Sequence, residues 1–364
     1  MEAALEQLIR GQRGGARGGV SFSFLFFSEG GGGVSEAEKY ALMREVTLFA
    51  DREGFEAVYI PERHFSEFGS IYANSAVLAA YLIPQTERVR FRTAGVSLPL
   101  HHPAEVVEWW AMNDVLSGGR VDLGFGSGWS RSDFVFAPGS YAGRRELCSE
   151  RIPLVQRLWR GEVVSFPGPG GESLPIRVYP RPVQGELKVW LLVASNDEAF
   201  RHAGRRGYNV FTMLYGFDLA ALAKKIELYR AAWAAAGHDS GGGVVSLMLH
   251  TLVHEDSGRV AAAVEGPFRR YIRSSLRAHL QAGLGREGGV IEGEGQEKMV
   301  EYAYQRYFRT GAIFGGVGEG REVVERAREA GVDEIACLVD FGVDYGLVRE
   351  SLPYLGELVS PYIG

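Results

Sequence analysis

The chain has 364 residues, with 39 Lys and Arg against 45 Asp and Glu, and its formal net charge is −6. This acidic balance argues against non-specific nucleic-acid binding, which needs a basic surface. No apolar run is long enough to span a bilayer and no signal-like segment begins the chain, so we predict a soluble, cytoplasmic protein without a membrane partner. The two cysteines, Cys148 and Cys337, lie far apart and have neither disulfide-framework nor zinc-site spacing.

Glycine-rich stretches separate the predicted elements. We interpret residues 1–20 as a flexible tail or linker and residues 21–364 as a single domain. The glycine-rich start favours a segment cut from a larger synthase over an independent protein, but both remain open. The stretch 283–297 lies between two helical segments, and it is either a lid over an active site or a disordered loop.

Short apolar runs alternate with amphipathic segments along the rest of the chain. The first unit is a strand within 21–27 followed by a helix within 35–54, which Ser35 and Glu38 begin with a capping box. The apolar residues of this helix share one stripe: Leu42, Met43, Val46, Phe49 and Ala50. Further strands are predicted within 55–60, 89–100, 120–129, 188–195, 208–214, 244–253 and 318–342.

This alternation predicts a parallel sheet, because parallel neighbours need a crossover that is usually helical. Roughly eight β-then-α units over this length favour a (β/α)8 TIM barrel, with insertions near 130–187 and 265–312. The alternative is an open, doubly wound sheet. Two glycine clusters, 124–128 and 316–320, lack the G-x-G-x-x-G spacing of a nucleotide-binding turn. The second cluster has no predicted strand directly before it, so we interpret it as the turn that begins a helix.

Functional groups of a barrel gather at the C-terminal ends of its strands. Glu62, Arg63 and His64 follow the strand within 55–60, where they are either catalytic residues or a surface ion pair and a loop cap. The small residues Ala94 and Gly95 let a flat ring approach the strand, although small residues also relieve crowding in a core. Donors that suit a phosphate follow two later strands: Ser127, Gly128, Trp129, Ser130 and Arg131, and Ser195, Asn196 and Asp197.

His101 and His102 form a candidate metal pair before Pro103. Adjacent residues of an extended segment point in opposite directions, and no carboxylate lies at ligand spacing, so we predict no metal site. The sequence also contains no nucleophile elbow, H-E-x-x-H motif or Walker loop that would support a hydrolase or an NTPase.

From Ser21 to the C-terminus, the chain resembles the bacterial luciferase-like, flavin-dependent monooxygenases. The closer resemblance is to the branch found as domains in nonribosomal peptide and polyketide synthases, which make natural products. The segments that carry the resemblance are FSFLFFSE, YIPERHFSEFGSIYANSAVLAA, SLPLHHPAEVVEWWAMNDVLSGGRVDLGFGSGW, SDFVFAP, LMLHTLV and AGVDEIACLVDFG. The resemblance implies a TIM barrel with FMN lying across the C-terminal ends of the strands.

The resemblance also assigns residues to the flavin site. In the family, small residues of the third strand face the isoalloxazine ring, and the loops after the fourth and fifth strands hold the phosphate. The matching positions here are Ala94 and Gly95 for the ring, and Ser127, Gly128, Trp129, Ala194, Ser195 and Asn196 for the phosphate. Luciferases have arginine at the position of Ser127, so another cation must meet the phosphate charge. We expect Arg131 in this role, with Arg144 and Arg145 as further candidates.

The motif after the second strand departs from the family. Luciferases carry Glu-His-His-Phe, whose first histidine is catalytic, whereas this chain has arginine there, in the order Glu62, Arg63, His64, Phe65. An arginine cannot act as a general base, because its pKa lies above about 12. It can donate hydrogen bonds to a reacting oxygen atom or a substrate carbonyl. Histidine titrates near neutrality, so His64 is the expected proton shuttle, and we predict Glu62, Arg63 and His64 as the catalytic residues.

The resemblance implies an FMN-dependent monooxygenase. Reduced FMN from a separate flavin reductase would react with O2, and one oxygen atom would pass to an acyl or aminoacyl substrate tethered to a carrier protein. The outcome would be hydroxylation at carbon or nitrogen, or insertion of oxygen beside a carbonyl. The expected partners are therefore a carrier protein and a flavin reductase. The chain is also expected to form a homo-oligomer such as a dimer, or to be part of a larger synthase.

Two other functions stay open at this point. A deazaflavin (F420)-dependent dehydrogenase would use the same barrel. A non-catalytic domain that docks carrier proteins would keep the fold without a cofactor, but the small residues at 94–95 and the donors at the strand ends argue against it.

Overall fold

A computed structural model describes residues 19–363, apart from 28–32, 68, 70, 215, 240 and 284–293. Within these residues, eight parallel strands close a barrel, and four further strands lie on or beside it. In chain order the strands are β1 (Ser21–Leu25), β2 (Ala57–Ile60), β3 (Arg90–Thr93), β4 (Val96–Ser97), β5 (Val121–Gly126), β6 (Val164–Pro167), β7 (Ser173–Ile176), β8 (Val189–Leu192), β9 (Asn209–Met213), β10 (Val245–Val253), β11 (Ala312–Gly315) and β12 (Glu334–Leu338).

Helices follow the strands and pack around the barrel. Those that the structure describes are α1 (Glu36–Glu53), α2 (Ser75–Leu82), α3 (Pro103–Ser117), α4 (Arg144–Arg160), α5 (Asp197–Arg206), α6 (Leu219–Ala235), α7 (Ser257–Gly283), α8 (Glu294–Thr310), α9 (Val317–Glu329) and α10 (Tyr345–Val359). Among these helices, none has both the length and the apolar character needed to cross a membrane.

The pairing of the strands closes the sheet into a ring. β12 pairs with β1, where Ser21 lies opposite Glu334, and it pairs on its other side with β10. The remaining neighbours run β1, β2, β3, β5, β8, β9 and β10, all in parallel. An open sheet would leave two unpaired edges, and these pairings leave none. The TIM-barrel prediction is therefore confirmed, and the doubly wound alternative is wrong.

Helix α1 shows how local sequence positions an element on the barrel. Ser35 accepts a hydrogen bond from the backbone of Glu38, whose side chain bonds back to Ser35, and Gly54 ends the helix in the left-handed conformation. The capping box is thus confirmed. The predicted apolar stripe is buried in the core that the helix shares with the barrel: Leu42, Met43, Val46, Phe49 and Ala50.

Three details of the predicted organisation were wrong. Strand β11 directly precedes the glycine cluster at 316–320, which begins helix α9. It is four residues long and follows a helix without a glycine-rich break, so the apolar pattern did not separate it. The glycine-rich stretch 166–175, expected only to separate predicted elements, lies within the antiparallel hairpin of β6 and β7. Val20, assigned to the tail, is buried in the core. Residues 1–18 and most of the predicted lid, 284–293, lie outside the described residues.

A buried ionic network crosses the barrel interior near the N-terminal ends of the strands. Arg92 of β3 donates to Asp122 of β5 at 2.8 Å and to Glu334 of β12 at 2.7 Å. Its guanidinium also lies over the ring of Trp190, 4.2 Å from the centroid. Arg92, Asp122 and Glu334 are thus paired with one another. Through Arg92, the network joins β5 to β12 on the opposite side of the barrel. The N-terminal end of such a barrel serves stability rather than catalysis.

We therefore expect Arg92→Met to lower the free energy of unfolding by about 3–5 kcal/mol, because it leaves buried carboxylates unpaired. Urea denaturation followed by circular dichroism measures this change in the free energy of unfolding. The exposed Arg52 provides the control, and Arg52→Met is expected to change the free energy by less than about 0.5 kcal/mol. Equal, small effects of the two substitutions would show that the network contributes no net stability.

Candidate active site

Glu62 organises a cluster of polar side chains at the C-terminal end of β2. It is buried, and its Oε1 lies 2.8 Å from Nε2 of His64 and 2.6 Å from Nε2 of His101. Its Oε2 accepts a hydrogen bond from the backbone N–H of Ser97 at 3.0 Å. An ionised carboxylate only accepts hydrogen bonds, so both imidazoles donate from Nε2. One carboxylate thus fixes the tautomer and orientation of two histidines, and we name Glu62, His64 and His101 the His–Glu–His cluster.

The electrostatics of the cluster favour an ionised Glu62. Burial alone would raise its pKa, but the hydrogen bonds from His101 and His64 and the backbone bond from Ser97 outweigh burial and lower the pKa to about 2. Burial alone would lower the pKa of His101, and the hydrogen bond and charge of Glu62 raise it above its usual value. The cluster therefore holds an anion at neutral pH and favours a proton on His101.

The prediction that His101 and His102 point in opposite directions is confirmed. The partner of His101 was not predicted. His102 points away from the cluster and caps α3, where its Nδ1 accepts from the backbone N–H of Ala104. The sequence showed no carboxylate at ligand spacing, but Glu62 reaches His101 from the end of β2. The three side chains of the cluster offer ligand atoms within 4.8 Å of one another. The separations of 2.6 and 2.8 Å match hydrogen bonds, which account for the arrangement without a metal.

Arg63 joins the end of β2 to the loop after β5. Its side chain is buried, with Nη1 3.6 Å from Oδ2 of Asp133 and the guanidinium 4.3 Å from the ring centroid of Trp129. Burial lowers the pKa of Arg63 and the charge of Asp133 opposes this, so the arginine stays protonated at ordinary pH. The structure thus brings Arg63 and Trp129 together, and Asp133 is a further member that the sequence analysis did not name.

Two exposed aromatic rings lie beside His64. The ring of Phe136 meets the imidazole edge-on at 4.9 Å between centroids, and Phe65 lies 5.2 Å from Phe136. Phe65 has a φ of 52°, which is unusual for a residue with a bulky side chain. More than half of each phenylalanine is exposed. Exposed rings next to a buried charged cluster form an apolar rim at the entrance of the site.

Ala94 and Gly95 lie directly after β3. A Cβ on Gly95 would come within 2.6 Å of the carbonyl oxygen of Gly124 in β5, so the glycine is required for strand packing. The packing explanation, one of the two that the sequence left open, is therefore sufficient for Gly95. Ala94 is half-buried at the C-terminal end of the strand, where a methyl group leaves more room than a branched side chain. The contact of both residues with a flavin ring stays a prediction.

The two predicted phosphate loops are neighbours in space. Strands β5 and β8 are paired, with Phe125 opposite Leu191, so the residues that follow them begin at the same edge of the barrel. Residues 127–129 are half-buried and residues 194–196 are exposed. Asn196 accepts hydrogen bonds from two backbone N–H groups and caps α5. A helix N-terminus beside a second donor loop suits an anion.

Three cations lie near these loops, and they differ in how they are held. Arg144 donates from Nε to the carbonyl of Gly128 at 3.1 Å, whereas Arg131 is exposed and lies over the ring of Tyr141 at 5.4 Å. Lys225 of α6 donates to the carbonyl of Ser195 at 2.7 Å. Lys225 was not predicted as a site residue, because no local sequence pattern connects it with Ser195, which lies 30 positions earlier. Lys225 therefore joins Arg131 and Arg144 as a candidate to balance a phosphate.

An apolar cavity of about 360 Å³ opens between the C-terminal end of β9, the middle of β10 and the helices α7 and α8. Its walls include Met213, Met248, Phe268, Tyr271, Ile272 and Tyr307, and the polar side chains His250 and Arg306 also line it. The sequence analysis did not name this cavity, because its walls come from four elements spread over about a hundred residues. A volume of this order suits a small organic ligand.

A parallel barrel with an anionic carboxylate, two imidazoles and an apolar cavity at the C-terminal ends of its strands has the arrangement of a barrel enzyme. Residues 20–334 match the model of the luciferase-like monooxygenase family, and the chain belongs to this family. It is 26% identical over 344 residues to the oxygenase component of a flavin-dependent trigonelline monooxygenase from Acinetobacter baylyi, covering 90% of this chain and 91% of that protein. It is also 26% identical over 227 residues to the alkanal monooxygenase alpha chain of Photobacterium leiognathi, covering 60% and 61% of the two chains.

Solved structures share the fold at lower identity. The monooxygenase RslO1 from Streptomyces bottropensis superposes with a TM-score of 0.78 at 21% identity, covering 94% of this chain and all of that chain. The oxygenating component of 3,6-diketocamphane monooxygenase from Pseudomonas putida, a type II Baeyer-Villiger enzyme in complex with FMN, gives 0.75 at 16% identity over 94% and 97%. An F420-dependent secondary alcohol dehydrogenase gives 0.71 at 16% identity over 95% and 99%. The barrel itself is therefore shared by enzymes of both cofactor types.

Proposed function

We propose that this protein is an FMN-dependent monooxygenase, which uses reduced flavin and O2 to transfer one oxygen atom to an organic substrate. The observation that carries the proposal is the His–Glu–His cluster at the C-terminal end of β2, in a chain of the luciferase-like monooxygenase family. A flavin-dependent relative aligned over nine-tenths of the chain supports the cofactor.

The residues around the proposed flavin fit that group. When bound, reduced FMN supplies the electrons that activate O2. The adjacent loops at 127–129 and 194–196 offer backbone donors and a capped helix N-terminus to its phosphate, and Lys225 and Arg144 lie against them. The half-buried Ala94 leaves space at the strand end between these loops and the His–Glu–His cluster.

His64 is placed to move a proton. Its Nε2–H donates to Glu62, so in the neutral ring Nδ1 carries the lone pair and accepts a proton there. Glu62 stabilises the imidazolium that results, because the carboxylate is ionised and buried. His101 shares the same carboxylate oxygen and holds a second proton in the cluster. Arg63 keeps a positive charge beside Trp129 and Asp133, at the junction of the cluster and the phosphate loop.

We propose a flavin reductase as a separate source of reduced FMN, and an acyl or aminoacyl group on a carrier protein as substrate, within the biosynthesis of a natural product. The support for these partners is the resemblance of the sequence to oxygenase domains of assembly lines. The exposed aromatic rim at Phe65 and Phe136 is a surface on which a carrier arm can lie.

Isotope labelling tests the reaction directly. The protein, a flavin reductase, FMN and NADH are incubated under ¹⁸O2 with a panel of carrier-bound acyl groups and small ketones, and products are measured by mass spectrometry. We expect a product that gains one ¹⁸O atom. A product whose added oxygen is unlabelled, and therefore comes from water, or a product two hydrogens lighter without label, would contradict oxygen transfer.

The cations near the loops give a test of the phosphate site. We expect wild type to bind FMN more tightly than riboflavin, and Lys225→Gln to reduce this preference about tenfold, as expected for one charge-assisted hydrogen bond. The ratio of the affinities for FMN and riboflavin is measured by fluorescence titration. The proteins compared are wild type, Lys225→Gln, Arg131→Gln and Arg144→Gln. If only Arg131→Gln reduces the preference, the original assignment of Arg131 is correct. If none does, the phosphate lies elsewhere.

An F420-dependent dehydrogenase is the second candidate. Its support is the barrel alone, which the solved structure of an F420-dependent alcohol dehydrogenase shares over 95% of this chain. The family match and the flavin-dependent relative favour FMN.

We further propose that the protein forms a homodimer through α2 and α3. The two helices expose a group of large apolar side chains, which are Val77, Tyr81, Met112, Val115 and Leu116. Such a patch is typical of an interaction surface. We expect Leu116→Lys to shift the mass measured by light scattering from dimer to monomer, and Val163→Lys, at an exposed valine outside these helices, to leave it unchanged. A monomeric wild type would contradict the proposed dimer.

A further inference from the structure

His250 is a buried histidine in the wall of the apolar cavity. It lies in the middle of β10, and its ring is surrounded by Phe268 at 4.6 Å, Tyr271 at 4.5 Å and Phe341 at 5.3 Å between centroids. Within the part of the chain that the structure describes, its buried Nε2 has no hydrogen-bond partner. Buried polar atoms in proteins are nearly always paired, so an orphan at the wall of a cavity indicates a missing partner.

The imidazole of His250 is neutral at ordinary pH. Burial among apolar side chains lowers its pKa to about 3, and no acidic group among the described residues opposes this. A neutral imidazole has one donor and one acceptor nitrogen. It can therefore pair with an uncharged polar group, and it provides no charge to offset a buried anion.

We propose that this cavity binds an uncharged, mostly apolar molecule whose single carbonyl or hydroxyl group forms a hydrogen bond with His250. That this molecule is the substrate rests on the proposed function. The apolar walls bury the carbon skeleton, and the histidine orients it by one polar group, the arrangement that small-molecule sites commonly use. His250 is therefore a positioning residue that determines specificity.

The charged side chain of the cavity does not favour an anionic ligand. Arg306 donates from Nη2 to the carbonyl of Phe217 at 3.2 Å, and its guanidinium lies over the ring of Tyr307 at 5.0 Å. A carboxylate would have to compete with these contacts and leave its remaining oxygen against apolar walls. Burying an incompletely paired charge costs more than burying a neutral carbonyl. The cavity should accordingly prefer a ketone or alcohol to an acid of the same size.

The structural alternative is a core histidine that needs no ligand. Its N–H can point at the face of a neighbouring aromatic ring, a weak contact that leaves the nitrogen partly satisfied. In that case, His250 would pack like any flat apolar side chain, and the cavity would bind molecules by their apolar surface alone. The two accounts differ in one measurable respect, which is whether affinity depends on a polar atom in the ligand.

Three matched probes separate the accounts: 1-tetralone, its parent hydrocarbon tetralin, and tetralin-1-carboxylate. Their binding to the full chain without flavin is measured by isothermal titration calorimetry. We expect wild type to bind the ketone about 3- to 10-fold more tightly than the hydrocarbon, as one net hydrogen bond provides, and to bind the carboxylate most weakly. Equal affinity for ketone and hydrocarbon, or tighter binding of the carboxylate, would overturn the proposal.

Substitutions test whether His250 causes the preference for the ketone over the hydrocarbon. His250→Leu should bind both neutral probes equally, while Met248→Leu, a change in the same wall without a polar atom, should keep the preference. His250→Asn and His250→Gln place an amide near the position of Nδ1 or Nε2. We expect one of these two variants to prefer the ketone as wild type does. A preference that survives in His250→Leu would overturn the role of His250. If His250→Leu does not fold, the wild-type probe pair and the two amide variants still decide the question.

Because this assay contains no flavin, its outcome is independent of the proposed activity. Ketone preference in a protein that retains no FMN would overturn the proposed function and leave the cavity assignment intact. FMN binding and oxygen transfer without any ketone preference would overturn the cavity assignment alone.

Discussion

Replacing His64 with alanine is expected to lower product formation about 10²- to 10⁴-fold, the range measured for loss of a general acid or base. The reason is its position, since Nε2 is fixed by the ionised Glu62 and the ring lies behind the apolar rim of the site. Binding of FMN should change little, because the phosphate loops follow other strands. Turnover with a separate reductase and a fluorescence titration of FMN measure the two quantities on the same preparation.

Arg63→Ala extends this test to the residue that stands where luciferases have their catalytic histidine. We expect it to lose product as well and to retain most of its affinity for FMN. The exposed Glu67, in the same loop, provides the control, and Glu67→Ala should behave as wild type. Unchanged turnover in both His64→Ala and Arg63→Ala would reduce these residues to a structural role.

Glu62→Gln should have the second-largest effect, because the carboxylate holds two histidines at once. The amide oxygen can still accept from both imidazoles, but the NH2 group then faces the backbone N–H of Ser97, which loses its acceptor. The amide also carries no charge to stabilise a proton on either ring. We expect a loss of about 1–3 kcal/mol in the free energy of unfolding and a fall in turnover comparable to that of His64→Ala. Urea denaturation and steady-state turnover measure the two effects, and Glu105→Gln, at an exposed carboxylate 3.8 Å from the other nitrogen of His101, is the control.

The difference in stability between wild type and Glu62→Gln should depend on pH. The pKa of Glu62 is lowered in the folded protein, so its contribution is present above the ordinary value of 4.5 and is lost as the pH falls toward about 2. The pKa of His101 is raised, so its contribution is present below the ordinary value of 6.5 and is lost as the pH rises through the raised value. The difference should therefore be largest between about pH 4.5 and 6.5. A difference that is constant from pH 3 to 9 would show that the pair is not coupled.

The barrel was predictable from the sequence because its signals are local and repeated. Each strand is a short apolar run, and each following helix has an apolar stripe and caps such as Ser35 with Glu38 and Asn196 before α5. Elements without such signals were missed. β11 has four residues and no glycine-rich break before it, and the β6–β7 hairpin lies in a stretch rich in glycine and proline.

The candidate site was predictable only where a polar residue directly follows a strand. Glu62, Arg63 and His64 belong to this class, and the structure brings them to one end of the barrel. His101, Asp133 and Lys225 complete the site through contacts between elements, and no spacing in the sequence encodes those contacts. His250 was hidden for another reason, since it lies inside a strand whose residues are all buried and gives no local sign of a cavity beside it.

Retention of reduced FMN tests the central claim most directly. Equilibrium dialysis without oxygen compares reduced FMN, riboflavin and reduced F420 with the full chain. We predict that the protein retains FMN more tightly than either of the other two, because the adjacent phosphate loops recognise its phosphate. Retention of F420 without FMN would contradict the monooxygenase and favour the dehydrogenase. Retention of none of them at high micromolar concentrations would contradict both enzymes.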